Sequence, residues 1–115
     1  MLHEGKITLF RFPQTNQKTG KLRPALWVRE LPTKYEDWLV CMISSRTDQY
    51  IPGFDELILD TDSEFEETGL KRSSVIRITR LAVVEESIFV GSVGNITNER
   101  LSRIHHTLAN WLVGL

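Results

Sequence analysis

The sequence predicts a mainly β fold, a compact antiparallel barrel or strongly bent sheet carrying one helix. Three observations lead there. Short apolar runs separated by turn residues recur across residues 6–90, and the first of them alternates with period two. Only residues 97–114 show a sustained helical period. The length of 115 residues holds one core and no second, so residues 1–115 form a single domain.

Taken in order, residues 6–12 are the first strand, with Thr8, Phe10 and Phe12 on one side and Ile7, Leu9 and Arg11 on the other. Pro13 stops the ladder because it has no N–H to donate. The polar residues 14–22 form a loop in which Gly20 is free to adopt positive φ. Pro24 opens the second strand, which runs through Ala25, Leu26, Trp27 and Val28. After a turn at Leu31-Pro32-Thr33-Lys34, residues 38–44 are apolar nearly throughout, as expected of a central strand covered on both faces. A polar loop follows at residues 44–49, with a further turn at Pro52-Gly53.

Residues 56–59 give a short strand before an acidic loop that Gly69 closes. Residues 74–79, 81–84 and 88–90 give further short β runs, and Gly91, Gly94 and Asn95 mark a turn. The closing helix has Thr97 as N-cap, Glu99 in its first turn and Gly114 at its end. Leu101, Ile104, Leu108, Trp111 and Leu112 form its apolar stripe.

The net charge of -1 hides an uneven distribution. Seven of the fifteen acids lie between Asp55 and Glu67, so the rest of the chain carries fourteen cations against eight anions. A cationic surface beside an acidic loop is therefore expected. Cys41, the only cysteine, sits in an apolar run and reads as a buried thiol in a reducing compartment. The N-terminus has no apolar signal region, and no run approaches the ~18 apolar residues of a membrane span. A soluble cytoplasmic protein is the expectation.

Metal and nucleotide chemistry find no footing. His105 and His106 are adjacent, about 100° apart on a helix, and lack the i, i+4 spacing of a metal pair. Phosphate-loop, dinucleotide and serine-hydrolase motifs are absent from the sequence. What remains is a set of cations and hydroxyls near strand ends: Arg23, Ser44, Ser45, Arg46, Arg77 and Thr79. An arginine fork holds a phosphate through two parallel hydrogen bonds and stabilises charge that develops on it. Ser44 and Ser45 alternate across the strand, so only one of them shares a face with Arg23.

These residues fall in blocks with a familiar order. Gly5-Lys6-Ile7 opens a strand ending in Phe12-Pro13. Lys21-Leu22-Arg23-Pro24-Ala25-Leu26 follows, then Val40-Cys41-Met42-Ile43-Ser44-Ser45. Gly69-Leu70-Lys71 precedes Ser74-Val75-Ile76-Arg77, and residues 91–101 lead into the last helix. In this series the chain resembles toxins of the MazF/PemK type over nearly its whole length. The resemblance implies a small SH3-like β-barrel (CcdB/MazF/PemK-like) with a C-terminal helix, usually a homodimer, neutralised by a cognate antitoxin. It also implies a metal-independent endoribonuclease, without cofactor, that cuts single-stranded mRNA at short sequences. By position, Arg23, Ser44 and Arg77 carry the catalytic roles. Lys18, Lys21, Ser45, Arg46 and Thr79 fall to substrate binding.

Two positions depart from the family pattern. Thr79 stands where some members have an aspartate, and Lys18 and its neighbours where others have an acid. The general base stays unassigned, with Asp48 and Glu30 as the carboxylates considered. The alternatives are a toxin of the same fold that inhibits DNA gyrase, with Trp111 as an anchor, and an inactive RNA-binding relative.

Overall fold

The computed structural model describes residues 3–11 and 21–114. The expected end of the first strand at Phe12 and Pro13, the first loop and Lys18 lie outside the described residues. Six strands form one antiparallel sheet in the order β4-β5-β3-β2-β1-β6. They are β1 (Lys6–Arg11), β2 (Leu22–Glu30), β3 (Asp37–Ser44), β4 (Glu56–Ile58), β5 (Ser74–Glu85) and β6 (Gly91–Asn95). The sheet curls into a half-barrel, and helix α2 (Asn98–Val113) packs on one face.

Strand β3 is central and covered on both sides, as its apolar run predicts. Cys41 and Ile43 enter the larger core with Ile7, Leu26, Ile76 and the helix residues Ile104 and Leu108. Trp38 and Val40 point the other way, into an aromatic core with Phe10, Ala25 and Trp27. Trp27 meets Trp38 edge-on at 4.9 Å between centroids, and its indole N–H donates to Thr8 Oγ1 at 2.6 Å. That bond satisfies two polar groups that burial would otherwise penalise.

The later β runs differ from expectation. Residues 74–79 and 81–84 belong to one strand, β5, whose pairing with β3 is interrupted between Arg77 and Leu81. Residues 86–88 make a 3-10 turn instead of opening a strand, and β6 occupies the glycine-marked stretch expected to be a turn. Glycine is needed there because backbone approaches backbone. A Cβ on Gly94 would lie 2.4 Å from the carbonyl oxygens of Glu67 and Thr68, and one on Gly69 2.0 Å from that of Val93. Gly69 also has φ +70, which a side chain opposes.

The acidic segment is likewise more ordered than a loop. It contains the short helix α1 (Phe65–Thr68), whose backbone packs on β6. It thereby links the β4 edge of the sheet to the β6 edge and helps close the curl. Its charges are drawn inward by Arg100 of α2, which is buried and donates to Glu64 Oε1 at 2.6 Å, Glu56 Oε1 at 3.0 Å and the Leu57 carbonyl at 3.0 Å. Arg103 adds a bond to Glu56 at 3.0 Å. Part of the expected acidic surface is thus an internal clamp.

Helix α2 begins and ends as its sequence dictates. Thr97 Oγ1 accepts the Arg100 N–H at 3.2 Å, and Gly114 adopts the left-handed cap. The apolar stripe, however, outruns the sheet. Ile104 and Leu108 are buried, whereas Trp111 is 59% exposed and Leu112 73% exposed. His105 bonds the Val28 carbonyl at 2.8 Å and His106 the Ser102 carbonyl at 2.7 Å, both structural roles. No helix among the described residues is long and apolar enough to cross a membrane.

Candidate functional site

The sheet register decides which of the candidate residues meet. Phe10 of β1 stands opposite Arg23 of β2, Ala25 opposite Met42 of β3, and Met42 opposite Arg77 of β5. Directly paired residues share a face, and so do residues two apart on one strand. Arg23, Ser44 and Arg77 therefore lie on one face, the side that bears the aromatic core. Extending the β2–β3 register by two residues sets Ser44 against Arg23. On the other flank Ser44 pairs with Val75, placing Arg77 diagonal to it. Of the two adjacent serines, Ser44 is the one that joins Arg23.

The side chains on this face have hydrogen-bonding capacity to spare. Ser44 Oγ accepts the Arg46 N–H at 3.0 Å, which leaves its O–H free to donate. Arg77 Nε is buried and meets no acceptor. A buried donor without a partner costs about 1–3 kcal/mol, so this N–H is one that an incoming acceptor would satisfy. Arg23 is half-buried, and its side chain has no ion pair or hydrogen bond among the described residues.

The irregular stretch of β5 beside Arg77 is pinned from below. The break in pairing leaves the Ile78 N–H without a β3 partner, and the buried carboxylate of Asp55 accepts it at 2.9 Å. The other Asp55 oxygen accepts the Ile51 N–H at 3.1 Å. Thr79, in the unpaired stretch, is exposed.

The remaining candidates divide. Lys21 is exposed just before β2. Arg46 is engaged with Asp48 through bonds of 3.1 and 3.0 Å from Nε and Nη2. The same pairing holds the Asp48 carboxyl below its ordinary range, which makes it a poor proton acceptor. Glu30 ends β2 while Arg23 is near its start, so roughly 20 Å of strand separates them. Glu30 is thus too far along the strand to act as a base beside Arg23, and the Asp48 carboxylate is taken up by Arg46.

Ser45 points to a different feature, a cleft of about 580 Å³ at the same end of the sheet but open toward the other face. Arg23 and Ser45 line it, joined by Lys71, Arg72, Ser74 and Ser92. Its floor is aliphatic, including Leu9, Pro24, Ile43 and Val93. The site assignment from sequence did not include Lys71 and Arg72. Their signal was present, since they are the first cations after the acidic segment, but only the fold brings them to Arg23. No group of metal-ligating side chains occurs among the described residues.

No curated protein matches the chain. A family model does, over residues 3–112, and its description is a PemK-like, MazF-like toxin of type II toxin-antitoxin systems. With a half-barrel sheet, a closing helix and a match across nearly every residue, the chain belongs to the PemK/MazF-like family of type II toxins.

Proposed function

We propose that this toxin is a metal-independent endoribonuclease that cuts single-stranded mRNA. The observation that carries the reading is the common face of Arg23, Ser44 and Arg77, two arginines flanking a hydroxyl with donors unspent. RNA supplies its own nucleophile in the 2′-OH. As that oxygen bonds to the adjacent phosphorus, the bond to the 5′-oxygen breaks. A cyclic phosphate forms, the 2′ proton leaves and the departing oxygen gains one. Charge grows on the phosphoryl oxygens, where Arg23 and Arg77 donate and Ser44 orients. As in its family, the toxin acts as a homodimer and is silenced by a cognate antitoxin.

The test is purified protein with bare single-stranded RNA in excess chelator. Cleavage is expected, and Arg23→Ala lowers its rate about 10²–10³-fold, the usual loss for a transition-state donor. Full cleavage by folded Arg23→Ala protein would remove this site from the mechanism.

One observation favours a second reading, a toxin that binds a protein target such as DNA gyrase. Trp111, Leu112 and Val113 leave an exposed apolar helix end of the kind that anchors protein contacts. Cleavage of bare RNA with no other protein present decides against it. An inactive RNA-stacking module has less support, because Phe10, Trp27 and Trp38 are all buried.

A further inference from the structure

The cleft shared by Arg23, Ser45, Lys71 and Arg72 is a second feature, separate from the catalytic face. Its charge is of one sign. Among the described residues three cations line it and no carboxylate does, whereas two other surface cavities mix Glu4 with Arg29 and Glu56 with Arg103. Lys71 and Arg72 are exposed and form no ion pair among the described residues. Cations that line one cleft without a counter-charge give it a positive potential, which an anion entering the cleft would meet.

The cleft is also built to hold its shape. The wall that carries Lys71 and Arg72 starts at Gly69, whose backbone lies against the Val93 carbonyl so closely that no side chain fits between. The Ser74 hydroxyl donates to the Arg72 carbonyl at 2.9 Å, which fixes the next turn of the chain. Of the aliphatic floor, Pro24 and Leu9 are a directly paired part of the sheet. At about 580 Å³ the space lies within the about 300–1,000 Å³ of small-ligand sites. A cationic rim over an aliphatic floor suits a phosphate joined to an apolar-faced ring, and Arg23 joins this cleft to the catalytic face.

We propose that the cleft is a subsite for the unpaired nucleotide next to the scissile phosphate, with Lys71 and Arg72 holding that nucleotide's phosphate. The inference rests on RNA as the substrate. It assigns the two cations to binding and register on the strand, apart from the chemistry at Arg23, Ser44 and Arg77.

The probe is a single-stranded oligonucleotide carrying 2′-O-methyl groups, which binds without being cut, followed by fluorescence anisotropy. Lys71→Gln/Arg72→Gln is expected to bind it about tenfold more weakly, with a salt dependence shallower by about 1.4 in the log–log slope. Arg29→Gln/Lys34→Gln removes the same charge at the far end of β2 and is expected to change affinity less than about twofold. Equal losses from both pairs, or none from the first in protein of unchanged thermal stability, would overturn the proposal. So would binding of polyglutamate, and not RNA, through Lys71 and Arg72, since the cleft would then be an acidic-peptide site. If Lys71- and Arg72-dependent binding persists while unmodified RNA stays intact, the subsite stands and only the nuclease reading fails. If RNA is cut and bound independently of the pair, the nuclease stands and the subsite fails.

Discussion

The carboxylate of Asp55 accepts the main-chain N–H of Ile78 at 2.9 Å, 23 residues away and one position past Arg77. It thereby replaces the ladder bond that β5 loses where its pairing with β3 breaks. Both Asp55 oxygens are used, the second by Ile51. Asp55→Ala strands two backbone donors and should lower the unfolding free energy by about 2–4 kcal/mol, read from denaturant curves. A loss below about 1 kcal/mol would show that the irregular strand holds itself. RNA cleavage should fall as well, because the segment that sets Arg77 loosens.

Gly69 and Gly53 offer a controlled comparison. Both have positive φ, +70 and +78, but only Gly69 faces a backbone oxygen at 2.0 Å from its missing Cβ, while Gly53 has open space. Gly53→Ala should cost about 1–2 kcal/mol for the left-handed backbone alone. Gly69→Ala should cost about 2 kcal/mol more, because the wall of the cleft must move off β6. Equal costs in thermal unfolding would argue against the close approach.

Arg100 clamps the acidic segment to α2, and its carboxylate partners keep part of their surface in water. Arg100→Ala should therefore cost about 2–3 kcal/mol, below the range for fully buried pairs. Hydrogen exchange should rise in residues 59–68 before it rises in β3. Uniform loosening of the whole chain would place the clamp elsewhere.

Cys41 is fully buried, and burial first, with the Asp55 charge second, pushes its thiol well above the ordinary range. A native thiol that stays protonated while the unfolded one ionises makes the folded state bind more protons. Stability should therefore fall as pH rises above about 8.5, by up to about 1.4 kcal/mol per unit. Below that pH the group adds no dependence. Cys41→Ser should flatten the alkaline limb, and the native thiol should react with a disulfide reagent only as fast as the chain opens.

The exposed helix end predicts association. Wild-type protein should sediment as a dimer at micromolar concentration, and Leu112→Glu, changing a residue 73% exposed, should leave the thermal midpoint within about 2 °C. If Leu112 is part of the dimer contact, the same change yields monomer. A monomeric wild type would contradict the dimer expected of the family.

The first four strands, the central place of β3 and both caps of α2 were legible in the sequence because each depends on neighbouring residues. Alternation, a proline, a threonine before a helix and a glycine after it act over a few positions. The ordered blocks from Gly5 to Leu101 also carried the family. Tertiary structure decided what depends on register and long-range contact. It set Ser44 on the face of Arg23 and Arg77 and Ser45 in the cleft on the other side, since pairing with β2 and β5 fixes the faces. It joined two β runs through Asp55, turned a glycine-marked turn into β6 by pairing it with β1, and drew Glu56 and Glu64 inward to Arg100. Lys71 and Arg72, nearly fifty residues from Arg23 in the chain, became its neighbours because pairing through β3 sets the start of β5 at the Arg23 end of β2 and the Gly69 backbone packs on β6.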